Sequence, residues 1–465
     1  MAGITQTLRA HSLDLFKAGI AAADPRAAVS RCLQHDHEQL CITLDTPRSE
    51  RSLSKPWPRI HLIAFGKAAC AMISAARVII PSASLGHAIA VTTEDNLTTI
   101  DGVDVYMAGH PLPNAAGLHA AQKIANALTS AKANELVLTL ISGGGSALLP
   151  YPVAGLSLDD KTKVTQQLLS SGADIHEINC VRKHLSRLKG GGLVKLAYPA
   201  DVHALILSDV LDDDLSTIAS GPTVADPTTF GDAIDILKSY QCWELSPQTV
   251  RDYLEKGACD PNLETLKPTD QTYGISTHTL IGSNRLSIDA VYQQSQQLGY
   301  QSQIYSHRLC GEARTVAEGF AAHCRNLQTK GLTRPTAIIA GGETTVTVTG
   351  RGKGGRNQEM ALAFALAAEN IHLSGPWCFL SGGTDGRDGP TDAAGGLVDS
   401  DSLSRMRGHN LKPQELLEAN DAYNALQAAD DLIITGGTGT NVADLQIALL
   451  HPQTESIIFT GEHHV

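Results

Sequence analysis

Apolar runs that end in a glycine- or aspartate-bearing loop and lead into a helical pattern recur along the first half of this chain: HLIAFGK at 61 to 67, LVLTLISGGGS at 136 to 146 and HALILSDV at 203 to 210. Near-continuous apolar strands alternating with helices predict an α/β domain on a mainly parallel sheet, because a strand covered on both faces has no polar side to show. Ligands of such sheets gather beyond the carboxyl ends of the strands. Lys67, the loop from Ser142 to Ser146, and Asp209 are therefore expected to face one crevice. The stretch 225 to 275 is punctuated by DPTTFGD, Pro247, DPN and KPTD around one or two helices and reads as a connecting segment. A second α/β portion follows, with strands expected near 276–281, 301–305, 336–340, 344–349, 377–381 and 431–435. Its helices are expected near 283–298, 311–327, 356–369 and 421–429. The domains that result are 1–240, a connector over 241–275, and 276–465.

The 465 residues exceed one ordinary core, and two domains fit the length. A net charge of −12 argues against a nucleic-acid or anionic-membrane binder, so local positive charge points to a small anion. The nine cysteines are scattered singly without a C-x-x-C pair, which supports neither a zinc ribbon nor a disulfide framework and makes a reducing cytoplasm the expected location. LRAHSLDLFKAGIAAADP reads as an amphipathic helix ending near Asp24-Pro25, and no run reaches the length of a membrane span.

The densest chemistry lies in GGETTVTVTGRGKGGRNQE, residues 341 to 359. There a strand runs into glycines carrying Arg351, Lys353 and Arg356 and then into a helix. Glycine lets the main chain approach an anion, and the free N–H groups opening a helix point at it. Gly350, Gly352 and Gly355 also satisfy G-x-G-x-x-G, but the acidic ribose partner expected about 20 residues further on has no convincing candidate. The loop ISGGGSALL, with its consecutive glycines, can form an oxyanion or phosphate nest, and it is not the G-x-S-x-G elbow of a serine hydrolase.

Helical spacing places Asn179, Arg182, Lys183 and Ser186 on one face, with Lys189 and Gly190 closing the helix. Asp209 at a strand end, ahead of Asp212, Asp213 and Asp214, is suited to bind Mg²⁺ or to take a hydroxyl proton. In the C-terminal half Asp385, Asp388 and Asp392 stand among glycines without the terminal glutamate of an EF-hand, and Thr435 to Asn441 form a hydroxyl-rich turn. The histidines make no metal pattern; H-E-x-x-H is absent and the His463-His464 pair lies at the tail. No Walker A sequence occurs, since Gly66-Lys67 has His61 where the first glycine belongs and Ala68 where the hydroxyl belongs.

In order along the chain, AFGKAA, GHPLPN, SGGGSALL, RKHLSRLKGG, LSDV with ASGPT, GGETTVTV with GGRNQE, and SGGTDGRDGPTDAAG resemble the glycerate 2-kinase family, whose C-terminal module is called MOFRL. The likeness implies two α/β domains flanking an active-site cleft, with a Rossmann-like, mainly parallel sheet in the N-terminal one and a mixed sheet in the C-terminal one, the MOFRL module covering about 335–455. It implies transfer of the γ-phosphoryl of ATP to the C2 hydroxyl of D-glycerate with Mg²⁺. The substrate lysine of the family matches Lys67, and its arginine matches either Arg351 or Arg356.

On this reading Lys67, Asp209 and Arg356 are the catalytic candidates. Lys67, Arg182, Arg351 and Arg356 would hold the substrate anion, together with Ser142, Gly143, Gly144, Gly145 and Ser146. The nucleotide is expected on Lys189, on Gly341, Gly342 and Glu343, on Gly352, Gly354, Gly355 and Asn357, and on Asp385 and Asp388, with Asp209 and Asp385 as the metal carboxylates. A homodimer is left open. The competing readings are an NAD(P)H-dependent hydroxypyruvate reductase using Gly350, Gly352 and Gly355, and a non-catalytic nucleotide- or sugar-acid-binding protein.

Overall fold

The computed structural model describes residues 2–36, 39–44, 52–210 and 212–452, so the His463-His464 pair lies outside the described residues. The chain divides into two compact units.

The first unit takes residues 23–283 and the short return segment 439–442. Its main sheet has six strands: β1 (Ile60–Phe65), β2 (Leu85–Thr92), β3 (Asp104–Met107), β4 (Leu136–Ile141), β5 (Asp201–Leu207) and β6 (Ser276–Gly282). They lie in the order β3-β2-β1-β4-β5-β6 and are parallel throughout. Every position of β1 and β4 is buried, which is why both read as unbroken apolar runs. Leu62 and Leu138 pack against Met72 and Ile73 on one face, while Ile63 and Val137 pack against Ile124 and Leu128 on the other. The chain leaves β1 toward one edge and β4 toward the opposite edge, so the topological switch point, where such sheets bind ligands, falls between these two strands.

Two helices behind the β4 loop matter below: α1 (Leu158–Ser170) and α2 (Ile175–His184). Each opens on a capping box, Ser157 with Asp160 and Asp174 with Glu177, which satisfies N–H groups that a helix start leaves bare. Helices at Phe230–Ser239 and Gln248–Cys259 pack on them through Val164, Leu168, Val181, Phe230 and Leu254. The stretch expected to connect two domains is thus part of the first unit. The strand expected to open the second domain, near 276, is β6, paired with β5 from Val202 opposite Ser276 onward. Strand pairing joins residues far apart in sequence, and local punctuation does not reveal it. A three-stranded antiparallel sheet at Leu33–Asp36, Gln39–Thr43 and Ser52–Lys55 has no counterpart in the sequence expectations.

The second unit is built on a mixed sheet: β7 (Gln301–Glu312), β8 (Thr336–Thr345), β9 (Trp377–Gly383), β10 (Gly395–Asp399), β11 (Leu432–Ile433) and β12 (Asp444–Leu450), in the order β7-β8-β12-β9-β10-β11. Only β7 and β8 pair in parallel. The strands expected separately at 336 and 344 are one, because β8 runs unbroken to Thr345. Helix α3 (Arg356–Asn370) is buried from Asn357 to Ala368, and its Phe364 stacks on Phe379 of β9 with ring centroids 4.0 Å apart. On the other face lie the helices Ala2–Ala22 and Asn284–Gln297, with Leu8, Leu15, Phe16, Ile288 and Val291 in one cluster. The N-terminal helix, placed by sequence order with the first domain, thus belongs to the second unit. Among the described residues no helix is long and apolar enough to cross a membrane.

An ion network fixes that helix. Arg9 reaches Asp399 at 2.6 Å and Asp431 at 2.8 Å, both acids being buried and shared with Arg405. Charged hydrogen bonds of this type contribute roughly 1.5–3 kcal/mol. Replacing Arg9 by Met should destabilise the second unit by about 2 kcal/mol, since Arg405 still serves both acids. Urea unfolding measures it, and an unchanged midpoint would contradict the anchoring role.

Candidate active site

Three backbone segments meet at the carboxyl edge of the first sheet. After β1 the chain turns at Gly66, whose φ of 122° lies in the region that favours glycine; a Cβ there would sit 2.2 Å from Ser142 Oγ. The turn brings the Lys67 N–H to the Gly143 carbonyl at 2.9 Å, and the Ala68 N–H to Ser142 Oγ at 3.0 Å. The Ser142 N–H in turn donates to the Phe65 carbonyl. A Cβ on Gly143 would fall 2.2 Å from Asp209 Oδ2, so the carboxylate that follows β5 rests directly on that peptide. The sheet therefore gathers Lys67, the Ser142–Ser146 loop and Asp209. Among the described residues the N–H groups of Gly143 to Ser146 enter no hydrogen bond, which leaves them as donors.

His110, a residue the sequence reading named only within a motif, completes this edge. A Cβ on Gly144 would lie 3.1 Å from its ring and 3.6 Å from Lys67 Cγ. Burial, aided by the Lys67 charge, holds His110 below the usual histidine range. Asp209 is pushed above the usual carboxylate range by burial, opposed by its own backbone N–H and by Lys67. Beyond it, Asp214 accepts from the Ser216 N–H and from the hydroxyls of Ser216 and Thr217, and so closes a turn.

The polar face expected along α2 is split. The helix ends at His184, and Ser186 Oγ accepts the Leu188 and Lys189 N–H groups in the turn beyond it. Lys183 is buried against Asp226 at 3.4 Å, away from any ligand role. Lys189 turns the other way and donates to the Ser146 carbonyl at 2.8 Å and to Ser146 Oγ at 3.0 Å. Ser146 Oγ also meets Ser220 Oγ at 2.8 Å, and Ser220 donates to Asn179 Oδ1 at 2.9 Å. Ser220 and the preceding Ala219 have φ of 61° and 52°, a strained conformation for residues with a side chain.

In the second unit the glycine-rich basic segment is laced onto its own neighbours. Asn420 Oδ1 accepts the Thr349 and Gly350 N–H groups, and the Gly352 N–H donates to the Ala419 carbonyl. A Cβ on Gly350 would strike Ala419, one on Gly352 would strike Asp421, and one on Gly355 would lie 2.4 Å from Asp388 Cγ. A Cβ on Gly354 would make only ordinary contact with Ala422, at 3.5 Å, whereas one on Gly341 would strike Asn284 and one on Gly342 would strike the Leu309 backbone. The N–H groups of Asn357 and Gln358 that open α3 donate to Asp388 Oδ1 and Oδ2, so a protein carboxylate occupies the place the sequence offered to an external anion. Burial raises Asp388 to about 6 against these two hydrogen bonds, with Asp444 adding to the rise.

The two arginines left open by the sequence differ in their commitments. Arg356 grips Asp444 through two hydrogen bonds, at 2.6 and 2.9 Å, and pairs with Glu343 at 2.7 Å. Arg351 is exposed and makes no hydrogen bond or ion pair among the described residues. Lys353 Nζ sits 3.6 Å from the centroid of the Tyr423 ring. Asp392 accepts from the Tyr423 hydroxyl. Asp385 Oδ1 accepts the Arg387 N–H, and it lies with Asp444 Oδ1 around the space a Cβ on Gly383 would enter. Among the described residues no group of three or more His, Cys, Asp or Glu is arranged to hold a metal.

A doubly wound parallel sheet with lysine, glycine amides and a carboxylate at its switch point defines a class of α/β proteins that bind small anions. A model described as a domain of unknown function, DUF4147, matches residues 11–255, and one described as the MOFRL family matches residues 336–444. The glycerate 2-kinase of Pyrococcus horikoshii is 38% identical over 453 residues, spanning 96% of this chain and 98% of its own length. The D-glycerate 2-kinase of Thermotoga maritima is 37% identical over 447 residues, spanning 96% and 99%. A crystal structure of the Thermotoga maritima glycerate kinase superposes with a TM-score of 0.84 at 36% identity, covering 96% of this chain and 100% of that one. The chain belongs to this glycerate 2-kinase, or MOFRL, family.

Removing Arg356 strands Asp444, which is fully buried. Arg356→Ala should cost about 3 kcal/mol of stability, and Arg351→Ala less than about 0.5 kcal/mol. Guanidinium unfolding of the two variants checks this, and equal midpoints would contradict it.

Proposed function

We propose that this chain is an ATP-dependent glycerate 2-kinase that transfers the γ-phosphoryl of ATP to the C2 hydroxyl of D-glycerate, giving ADP and 2-phosphoglycerate. The observation that carries the reading is the meeting of Lys67, the Ser142–Ser146 amides and Asp209 at one sheet edge. They meet in a chain that aligns over nearly its whole length with glycerate 2-kinases. Phosphoryl transfer needs positioning and charge neutralisation more than covalent chemistry, and this edge supplies both.

The Lys67 ammonium holds the acid's carboxylate or the phosphoryl oxygens, and the loop amides donate to the oxygens on which charge develops. Asp209 takes the proton of the C2 hydroxyl as its oxygen bonds to the γ-phosphorus and the bond to the ADP oxygen breaks. A carboxyl raised by burial is the better proton acceptor for this step. Exposed Arg351, without a protein partner among the described residues, is the cation of the glycine-rich segment available to a ligand. Mg²⁺ is commonly held by one or two carboxylates with substrate phosphates completing the shell, and Asp385, which bonds the Arg387 N–H through one oxygen only, would be a carboxylate to hold it. When bound, the ion would neutralise phosphate charge there.

Lys67→Ala should lower kcat/KM for D-glycerate at least tenfold, about 1.4 kcal/mol, in a coupled ADP-release assay. Unchanged kinetics would remove Lys67 from the site. Because the Asp209 carboxyl is raised, kcat/KM should climb with pH through a range above that of ordinary carboxylates. Asp209→Asn should lose that limb together with about a hundredfold in kcat. A variant that keeps both the limb and the rate would exclude Asp209 as the base.

A further inference from the structure

An ammonium taken out of water without a counter-charge costs several kcal/mol, so buried lysines are normally found beside a carboxylate. Lys183 obeys the rule, with Asp226 as its partner. Its neighbours do not. Lys161 on α1 is 5% exposed, and among the described residues its Nζ has no hydrogen-bond partner. Lys189 is 3% exposed and, among the described residues, is bonded only to the carbonyl and hydroxyl of Ser146. Arg182 on α2 makes no hydrogen bond or ion pair among the described residues.

Helices α1 and α2 pack together through Val164, Leu168 and Val181, which brings Lys161 and Arg182 onto neighbouring elements, and Lys189 follows in the turn beyond α2. Burial holds all three below their ordinary basicity, Arg182 further lowers Lys161, and both Arg182 and Lys161 further lower Lys189. The carboxylates of the surrounding elements are committed elsewhere. Asp160 and Glu177 close the capping boxes of α1 and α2, Asp159 pairs with Lys163, Asp226 with Lys183, and Glu264 with His184 and Lys267. The fold thus concentrates positive charge behind the Ser142–Ser146 loop, and among the described residues no carboxylate is paired with it.

We propose that Lys161, Arg182 and Lys189 form a pocket for a phosphoryl dianion. Three cations exceed what one carboxylate can balance, whereas a phosphate offers two charges and several acceptor oxygens. Because Ser220 donates to Asn179, Ser146 gives its own proton to Ser220 and accepts from Lys189, which fixes that ammonium in place. Resting on the kinase reading, the group is the phosphate of the phosphorylated product or of the nucleotide. The strain at Ala219 and Ser220 is consistent with a binding element held in place by its surroundings.

The test is calorimetric titration of the full chain with inorganic phosphate, 2-phosphoglycerate, ATP and D-glycerate, for the wild type, Lys161→Met and Lys161→Gln. The expected result is an unliganded melting temperature equal to or above wild type in at least one variant. In that variant Kd for inorganic phosphate should rise at least tenfold. A matching loss for 2-phosphoglycerate or for ATP identifies which of the two brings the phosphate. Phosphate affinity unchanged in a folded variant overturns the pocket, as does a loss confined to D-glycerate, which would make it a carboxylate site. Wild-type protein that forms no ADP from glycerate yet binds phosphate through Lys161 keeps the pocket and removes the kinase reading; active protein indifferent to Lys161 does the reverse.

Discussion

The edge of the first sheet depends on peptide groups approaching more closely than any side chain allows. Gly66 lies against Ser142, Gly143 against the Asp209 carboxylate, and Gly144 against His110 and the stem of Lys67. Each contact would be lost with a single added methyl, and together they set where Lys67 and Asp209 stand. The strands beneath, buried at every position, make that placement rigid. Catalysis by positioning requires such rigidity, since a displacement of about 1 Å at the reacting group is expensive.

Charge is distributed in two different ways. In the second unit the buried charges near the basic loop have partners, with Arg356 on Asp444 and Glu343 and Asp388 capping α3, while exposed Arg351 has none among the described residues. That arrangement builds structure. In the first unit Lys161, Arg182 and Lys189 have no acid, and the Gly143–Ser146 amides have no acceptor among the described residues. Positive groups left unsatisfied at a switch point are what a small polyanion requires.

Much of this was legible in the sequence where function and local pattern coincide. The runs at 61, 136 and 203 announced β1, β4 and β5, and the residues at their ends announced Lys67, the serine-glycine loop and Asp209. Helix α3 also followed from pattern, while the mixed second sheet was implied by the resemblance to the glycerate 2-kinase family. What remained hidden depends on long-range pairing. Nothing near residue 276 marks it as the neighbour of β5, nothing in the first helix points to Asp399 and Asp431, and nothing in GRNQE shows that Asp388 fills the start of α3. Lys161 sits in a segment of ordinary helical composition, LDDKTKVTQQLLS, and only burial without a partner distinguishes it from the exposed Lys163 two residues on.

On the proposed function, the lysine, amides and carboxylate at the β1–β4 switch point transfer a phosphoryl group to the middle hydroxyl of a three-carbon acid. Phosphorus NMR of a reaction containing the protein, ATP, Mg²⁺ and D-glycerate tests it most directly. A new resonance of a phosphate ester on C2 is expected, growing as the γ-phosphate signal falls and absent when Lys67 is replaced by Ala. A resonance assigned to C3, or ATP left intact while the wild-type protein is folded, would contradict it.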